Sequence, residues 1–146
     1  MPSKHAFPSW LAPMNNAQAL ISAHANKITN LADVTSSLDV EKAYRNHFSS
    51  QQNQNYWDYY LRVGSVRNGK HRYLEVHPGK TVHGNQIQQM IKKVEWLKSR
   101  IHAGELPLPD GAFIWARATG DSNYSSQERQ ILAKHGLSKP TRKVTV

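Results

Sequence analysis

The sequence predicts an α+β protein in which helices flank a mixed central sheet. Three observations support this fold class: a pair of β-prone segments with an Asn-Gly turn signal between them, a long amphipathic helix pattern that follows, and one further apolar strand. A hairpin followed by a strand–helix–strand unit is typical of a mixed sheet with helices on its faces. The predicted order along the chain is α-α-β-β-α-β-α-(β).

The N-terminal third of the chain predicts an irregular segment followed by two helices. Residues 1–14 contain three prolines and are expected to form a lead-in without regular structure. Apolar side chains recur at steps of three and four over residues 17–31, which predicts the first helix. Residues 36–39, Ser-Ser-Leu-Asp, are typical of a helix start, and Tyr44 and Phe48 then share one face of the second helix.

The middle of the chain has the pattern of a β-hairpin. Residues 56–63 are rich in aromatic and branched side chains, which favour strands. Asn68 and Gly69 follow as a turn signal. Residues 71–77 then form the second predicted strand, which Pro78 terminates.

The second half of the chain predicts a helix, a buried strand and a second helix. An apolar stripe of helical period runs over residues 87–101, and Gly104 ends that helix. Residues 112–116 are predicted as a buried strand. A capping box over residues 125–128 opens the last helix, and residues 143–146 are expected to form a short last strand.

Composition and charge restrict the classes of function. The 146 residues suit a single domain, assigned to residues 15–146, and 19 Lys and Arg residues against 10 Asp and Glu leave a net charge of +9. A basic surplus of this size favours nucleic acid as the partner, although a basic chain without a polyanion ligand stays open. The absence of cysteine excludes disulfide scaffolds, thiolate nucleophiles and sulfur-ligated zinc.

Several targeting and catalytic signals are missing from the sequence. No apolar run approaches the roughly 20 residues that a membrane-spanning helix needs. Residues 1–11 lack the apolar stretch of a secretory signal, so we expect a cytoplasmic protein with no membrane partner. Because no Walker loop, GxGxxG or GxSxG motif occurs, P-loop nucleotide hydrolysis and serine hydrolase chemistry lack support.

Two acidic residues interrupt the apolar strands of the predicted hairpin. Asp58 opens the first strand, and Glu75 lies near the end of the second. In a hairpin these two positions meet at one end of the sheet, where two carboxylates would repel each other unless a cation lies beside them. Carboxylates on neighbouring strands are typical ligands of Mg²⁺, with waters and substrate phosphate completing the coordination.

This pattern resembles the PD-(D/E)xK (restriction-endonuclease-like) nuclease superfamily over about residues 38–118. The similarity rests on Asp58 at a strand start, the run Glu75-Val76-His77 in the next strand, Gln86 in the first turn of a helix, and the strand predicted after that helix. The resemblance implies a restriction-endonuclease-like core and metal-dependent hydrolysis of phosphodiester bonds. His77 stands where the family has a lysine, and Trp57 stands where it has a proline.

The resemblance also implies a role for each matching residue. Asp58 and Glu75 would bind Mg²⁺ or Mn²⁺, and Glu41 matches the acid that the family often carries on the preceding helix. Gln86 would support the site. His77 or Lys80 would take the part of the motif lysine, which orients the attacking water and stabilises charge on the phosphate.

Nucleic acid is the expected partner, and DNA is favoured over RNA as the substrate. Salt-sensitive phosphate contacts are expected from a group of basic residues around the site and on the following helix: Lys70, Arg72, Lys80, Lys92 and Lys93. The aromatic residues of the first strand, Tyr56, Trp57, Tyr59 and Tyr60, fit either the core or stacking on unpaired bases. A protein partner and the oligomeric state stay open.

Other interpretations of the same residues stay open. Asp58 could be a turn residue with no further role, and Glu75 could lie on a strand face exposed to solvent. Glu41 could form an ion pair with Arg45 on the surface of its helix. A non-catalytic nucleic-acid-binding protein on the same fold would account for the missing lysine, and a protein-interaction module without nucleic acid is a further alternative. A metal-independent ribonuclease would use histidine, with His77, His71, Arg62 and Glu75 as its residues.

Overall fold

A five-stranded mixed sheet organises the protein, as the computed structural model shows for residues 5–50, 53–65, 67–81 and 84–146. The α+β class is therefore confirmed. The sheet has its strands in chain order. The pairs β1–β2, β2–β3 and β3–β4 are antiparallel, and β5 is parallel to β4. The elements in the described residues are β1 Met14–Asn15, α1 Ser22–Ala25, β2 Val34–Asp39, α2 Val40–His47, β3 Tyr59–Val63, β4 Lys70–His77, α3 Gln86–His102, β5 Ile114–Arg117 and α4 Ser126–Lys134.

The predicted hairpin is present as β3 and β4. Its register pairs Tyr59 with Leu74 at one end and Val63 with Lys70 at the other. Because side chains alternate along a strand, Tyr60 and Tyr73 face one side of the sheet, whereas Tyr59 and Leu74 face the opposite side. Two hydrophobic cores result, one on each face of the sheet.

Helix α3 covers the first face as the crossover between the parallel strands β4 and β5. The predicted stripe is confirmed, since Ile87, Met90, Ile91, Val94 and Leu97 are buried against the sheet. The opposite side of α3 is polar. Within the described residues, no helix combines the length and the apolar character needed to cross a membrane.

Helix α2 begins later than predicted, because the residues assigned to its start belong to a strand. Ser36, Ser37 and Leu38 pair with β3, and the buried hydroxyl of Ser37 accepts a hydrogen bond from the Ala19 amide at 2.9 Å. Asp39 ends β2 and caps α2 by accepting a hydrogen bond from the Lys42 amide at 2.9 Å. Two serines before an aspartate are typical of a helix N-cap, and for this reason strand β2 was not predicted from the sequence.

The long first helix predicted over residues 17–31 is wrong. The structure has only the short α1 and a 3₁₀ turn, Leu31–Asp33, in this region. The chain around Ile28 pairs instead with the C-terminal residues: the Val144 amide donates to the Lys27 carbonyl, and the Thr29 amide donates to the Val144 carbonyl, each at 2.8 Å. These long-range bonds override local helix propensity. The strand predicted over residues 143–146 is reduced to an isolated bridge between Ile28 and Val144.

Other local predictions are confirmed with small shifts. Ser125 and Glu128 form the capping box of α4, and Gly104 and Gly136 follow α3 and α4 with φ of +82° and +78°. The buried strand predicted over residues 112–116 is β5, which begins two residues later. Within the N-terminal lead-in, Leu11 is fully buried in the core beneath α3.

The buried stripe of α3 leads to a prediction about stability. We expect Leu97→Ala to lower the free energy of unfolding by about 2–5 kcal/mol, because the substitution leaves a cavity beneath the helix. Gln88→Ala, on the exposed face of the same helix, should change it by less than about 0.5 kcal/mol. Equilibrium urea unfolding measures both values. Equal losses in the two variants would contradict the assigned packing of α3.

Candidate functional site

The hairpin register places Asp58 opposite Glu75, one residue beyond the last pair of β3 and β4. The Asp58 amide donates a hydrogen bond to Glu75 Oε1 at 2.9 Å, and the Val76 amide donates one to Asp58 Oδ2 at 3.0 Å. Each carboxylate is thus held by the main chain of the other strand. The structure brings the two acids together at one end of the sheet, and a simple turn role does not describe Asp58.

Glu75 lies inside the protein. Its exposed fraction is 1%, and Tyr73, two residues earlier on the same face, is fully buried. The solvated strand face considered from the sequence is therefore wrong, because α3 packs over this face of the hairpin. A buried carboxylate needs donors and a counter-charge to remain ionised.

Lys93 provides that counter-charge from the inner edge of α3. Its Nζ lies 2.8 Å from Glu75 Oε2 and donates to the Tyr56 carbonyl at 3.0 Å. Lys93 was predicted, together with Lys92, to be a cation that contacts phosphate, whereas the structure turns Lys93 inward toward Glu75. The helical spacing could have predicted this orientation. Lys93 lies three residues after the buried Met90 and therefore near the same face of α3.

His77 and two glutamines form the outer part of the site. His77 Nδ1 lies 3.6 Å from Glu75 Oε2, and His77 Nε2 makes a 2.9 Å hydrogen bond with Gln89 Oε1. Burial lowers the pKa of His77, and the bond to Gln89 only partly opposes this effect, so the ring is neutral at pH 7. Gln86, predicted as a site residue, lies in the first turn of α3, and its buried Oε1 has no hydrogen-bond partner among the described residues. Gln89 was missed because nothing in the helical pattern distinguishes it.

The three charged groups shift one another's pKa. Burial and the neighbouring Asp58 raise the pKa of Glu75 to about 8, although Lys93 acts in the opposite direction. Burial also raises the pKa of Asp58, and Lys93 and the Val76 amide offset this in part. For Lys93, burial opposes the charge, but Glu75 and Asp58 outweigh it and raise its pKa. Two acids share a single buried lysine, so the site retains a proton near neutral pH or takes up a further cation.

Asp58 and Glu75 are the residues here that could hold a divalent metal ion. Asp58 and Glu75 supply hard oxygen ligands, and within the described chain Asp58 Oδ1 accepts no hydrogen bond. No group of three His, Asp or Glu side chains in those residues is arranged to hold a metal. Mg²⁺ is commonly bound through one or two carboxylates, with waters and substrate phosphates as its remaining ligands, and two carboxylates are what this site offers.

Other residues predicted for the site lie outside it. Glu41 pairs with Arg45 at 3.1 Å on α2, as the surface alternative predicted, and acts on Asp58 only through its charge. Lys80 Nζ lies 3.1 Å from Glu128 Oε1, so its ammonium is directed to α4 rather than to the carboxylates.

The remaining basic residues of the prediction are spread over the surface. Lys70 and Arg72 lie toward the opposite end of β4, where the Arg72 guanidinium donates to the Asp110 carbonyl. Lys92 is exposed on α3. The aromatic residues of the first strand are buried, which assigns them to the core and not to base stacking: Tyr56, Trp57, Tyr59 and Tyr60.

The histidine-based arrangement is divided between the two ends of the hairpin. Arg62 pairs with His71 across the strands, whereas Glu75 and His77 lie at the other end of β4. Four residues of strand span about 13 Å, so His71 and Glu75 cannot act on one phosphate together. Of the residue groups predicted from the sequence, the structure brings together Asp58, Glu75 and His77.

No protein-family model, curated protein or solved structure matches the chain.

The raised pKa of Glu75 predicts how stability depends on pH. In EDTA, the free energy of unfolding should fall as pH rises from 4.5 to about 8, because folded Glu75 keeps a proton that the unfolded chain releases. The slope for one group is at most about 1.4 kcal/mol per pH unit. Glu75→Gln should reduce this slope, and urea unfolding at a series of pH values measures it.

The matched control is Glu95→Gln, which makes the same change on the exposed face of α3 and should leave the slope as it is in the wild type. An equal slope in the wild type and in Glu75→Gln would show that Glu75 does not carry the proton.

Proposed function

We propose that this protein is a metal-dependent nuclease of the PD-(D/E)xK type, with DNA favoured over RNA as its substrate. The observation that carries the proposal is the buried pair Asp58 and Glu75, held across two strands with Lys93 2.8 Å from the Glu75 carboxylate. Two acids and one lysine at the end of a hairpin form a charge set suited to metal-assisted phosphodiester hydrolysis.

The order of elements around the site supports a restriction-endonuclease-like core. The antiparallel strands β3 and β4 are followed by the crossover helix α3 and by β5, which is parallel to β4. This is the arrangement that the resemblance implies, with the two acids at the strand ends nearest the start of α3. A helix, α2, also precedes the first acid, as the resemblance implies.

Asp58 and Glu75 are the residues that would hold Mg²⁺ or Mn²⁺. When bound, the ion would stabilise charge on the phosphate as a Lewis acid and would lower the pKa of a water molecule. Lys93 takes the part of the motif lysine, from a helix instead of from the strand. Because its pKa is raised, Lys93 stays protonated and stabilises negative charge that develops on the phosphate.

His77 and its glutamines complete the site. The neutral ring donates from Nε2 to Gln89 Oε1, which leaves Nδ1 as a proton acceptor on the side of Glu75. This position suits a group that orients or deprotonates the attacking water. The buried Oε1 of Gln86 is a second acceptor near the ring and supports the same role.

The net charge of +9 supports a polyanionic substrate. The exposed Lys92 lies one residue from Lys93, on the helix that covers the site. Phosphate contacts from this helix would hold a strand over the carboxylates without reading its sequence, and binding would weaken as salt rises.

Cleavage of plasmid DNA and of single-stranded RNA in Mg²⁺, Mn²⁺ or EDTA tests the proposal. We expect metal-dependent cleavage, and we expect Asp58→Asn and Lys93→Met each to reduce the rate about 100-fold or more. The first removes a proposed metal ligand, and the second removes the positive charge beside the reacting phosphate. Glu95→Gln and Lys134→Met make matched changes at exposed positions on α3 and α4 and should retain the wild-type rate. Circular dichroism confirms that each variant is folded.

Cleavage that persists in EDTA and in Asp58→Asn would overturn the proposal. The absence of cleavage with every metal and substrate, in a folded protein, would also count against it.

A non-catalytic nucleic-acid-binding protein is the second candidate. The observation that favours it is the 2.8 Å ion pair between Lys93 and Glu75, which neutralises the buried acid without a metal. This candidate predicts salt-dependent binding of DNA with no hydrolysis and no affinity for Mn²⁺. Gel-shift and Mn²⁺-binding measurements on the same sample separate the two candidates.

A further inference from the structure

A second concave site lies at the opposite end of the β3–β4 hairpin. The cavity has a volume of about 810 Å³ and is enclosed by the N-terminal lead-in, the hairpin end and the loop after α3. This volume is within the range of small-molecule sites, about 300–1,000 Å³. Its wall includes His71, which is about 13 Å along β4 from Glu75, so the cavity is separate from the candidate active site.

Cations dominate the polar wall of this cavity. Arg62, Arg67 and Lys70 line it from the hairpin, and Arg67 and Lys70 are exposed to solvent. Burial lowers the pKa of His71, so that ring does not add to the charge at neutral pH. The one acid among the lining residues, Asp110, accepts a hydrogen bond from the His71 amide at 2.8 Å and so fastens its loop to β4. The lining residues therefore carry an excess of positive charge.

Apolar residues line the cavity as well. Phe7, Pro107 and Leu108 are among them, and the Phe7 ring packs on Tyr60 with a 5.4 Å separation of ring centroids. Leu108 is 76% exposed, the largest exposed fraction among the large apolar residues of the described chain. Within the described residues, this leucine presents an apolar surface that other side chains leave exposed. A ligand that contacts both the apolar and the cationic lining residues has an apolar part and an anionic part.

Polar groups that line the cavity can fix the orientation of such a ligand. Ser36 and Asn68 are two of them. Tyr60 Oη and His71 Nδ1 are joined by a 2.6 Å hydrogen bond, which holds the His71 ring in place. A few placed hydrogen-bonding groups within a largely apolar and cationic cavity are typical of small-molecule recognition.

We propose that this cavity binds a phosphorylated nucleoside, with the phosphate against Arg67 and Lys70 and the base against Phe7 and Leu108. An inorganic anion would leave the apolar lining residues without contacts, and an uncharged aromatic molecule would make no use of the charges of Arg67 and Lys70. A free nucleotide and the 5′-terminal nucleotide of a nucleic-acid strand share this chemistry. The site does not depend on metal binding at Asp58 and Glu75.

The test is a ¹H–¹⁵N NMR titration of the full chain in EDTA, which prevents metal-dependent cleavage. The three probes are AMP, inorganic phosphate and a 5′-phosphorylated trinucleotide. We expect AMP to shift amide signals of Phe7, Gly69, His71 and Leu108, and to bind at least about tenfold more tightly than phosphate. The trinucleotide distinguishes the two sources, since a strand-end site binds it more tightly than AMP and a nucleotide site does not.

Arg67→Ala and Lys70→Ala should each weaken AMP binding about tenfold, which corresponds to about 1.4 kcal/mol. Lys134→Ala removes the same charge from α4, away from the cavity, and should leave the affinity unchanged. Because the titration is carried out in EDTA, AMP binding is measured without the metal on which the nuclease proposal depends, and the two results stay independent.

Three results would overturn the inference. One is the absence of any shift in the amide signals of the cavity residues at 10 mM AMP. A site with a millimolar dissociation constant would be mostly occupied at that concentration. Another is equal affinity for AMP and inorganic phosphate. The third is an equal loss of affinity in Lys134→Ala and in the two cavity variants, which would indicate attraction by net charge alone. Because the shifts are measured on the wild-type protein, the inference can be tested even if a variant does not fold.

Discussion

Burying the Glu75 carboxylate between the sheet and α3 is the constraint on which the arrangement of this protein depends. A charge with 1% exposure is stable only if donors and counter-charges reach it from several elements. The Asp58 amide supplies a donor from the neighbouring strand, and Lys93 supplies the counter-charge from the helix. The hairpin register and the position of α3 are therefore both coupled to this one side chain. A slip of one residue in that register would turn Glu75 to the other face.

The candidate site has two acidic side chains and one buried lysine, and this imbalance of charge is the basis of its proposed chemistry. Asp58 and Glu75 share one buried lysine, so the pKa values of both acids are raised. A structural ion pair would be more stable with equal charges or with apolar residues of the same volume. Retaining a second acid is costly for folding, and such costs concentrate at functional sites. The same pair of strands carries a cationic cavity at its far end, so the hairpin presents one face with two different chemistries.

Much of this fold follows from the spacing of residues along the chain. The hairpin and α3 were predicted because alternation and helical periodicity are local signals, and the proximity of Asp58 to Glu75 followed from the hairpin. Strand β2 was missed because Ser36 and Ser37 pair with β3 in spite of their polar, cap-like sequence. The helix over residues 17–31 was wrong because hydrogen bonds to the C-terminal segment replace it, and no local pattern reveals a partner more than 100 residues away.

The site was predicted only in part, because local patterns can be read from the sequence whereas contacts between distant elements cannot. The carboxylates belong to a local motif, but the lysine that pairs with Glu75 comes from another element. Lys92 and Lys93 are neighbours in an amphipathic helix, and which of them turns inward depends on the rotation of α3 over the sheet. That rotation is fixed by the whole buried stripe, and Lys80, the nearer lysine in sequence, is held by Glu128 on α4.

The affinity of Mn²⁺, measured by the loss of its free EPR signal, tests most directly whether the carboxylates form a metal site that Lys93 serves. Asp58→Asn should weaken binding at least about tenfold, because a carboxylate ligand is lost. Lys93→Met should strengthen binding, because the ammonium no longer repels the cation at Glu75, whereas Lys134→Met should leave it unchanged. One Mn²⁺ site that responds in this way is the result expected. No binding at millimolar Mn²⁺, or binding that none of these substitutions alters, would contradict the account.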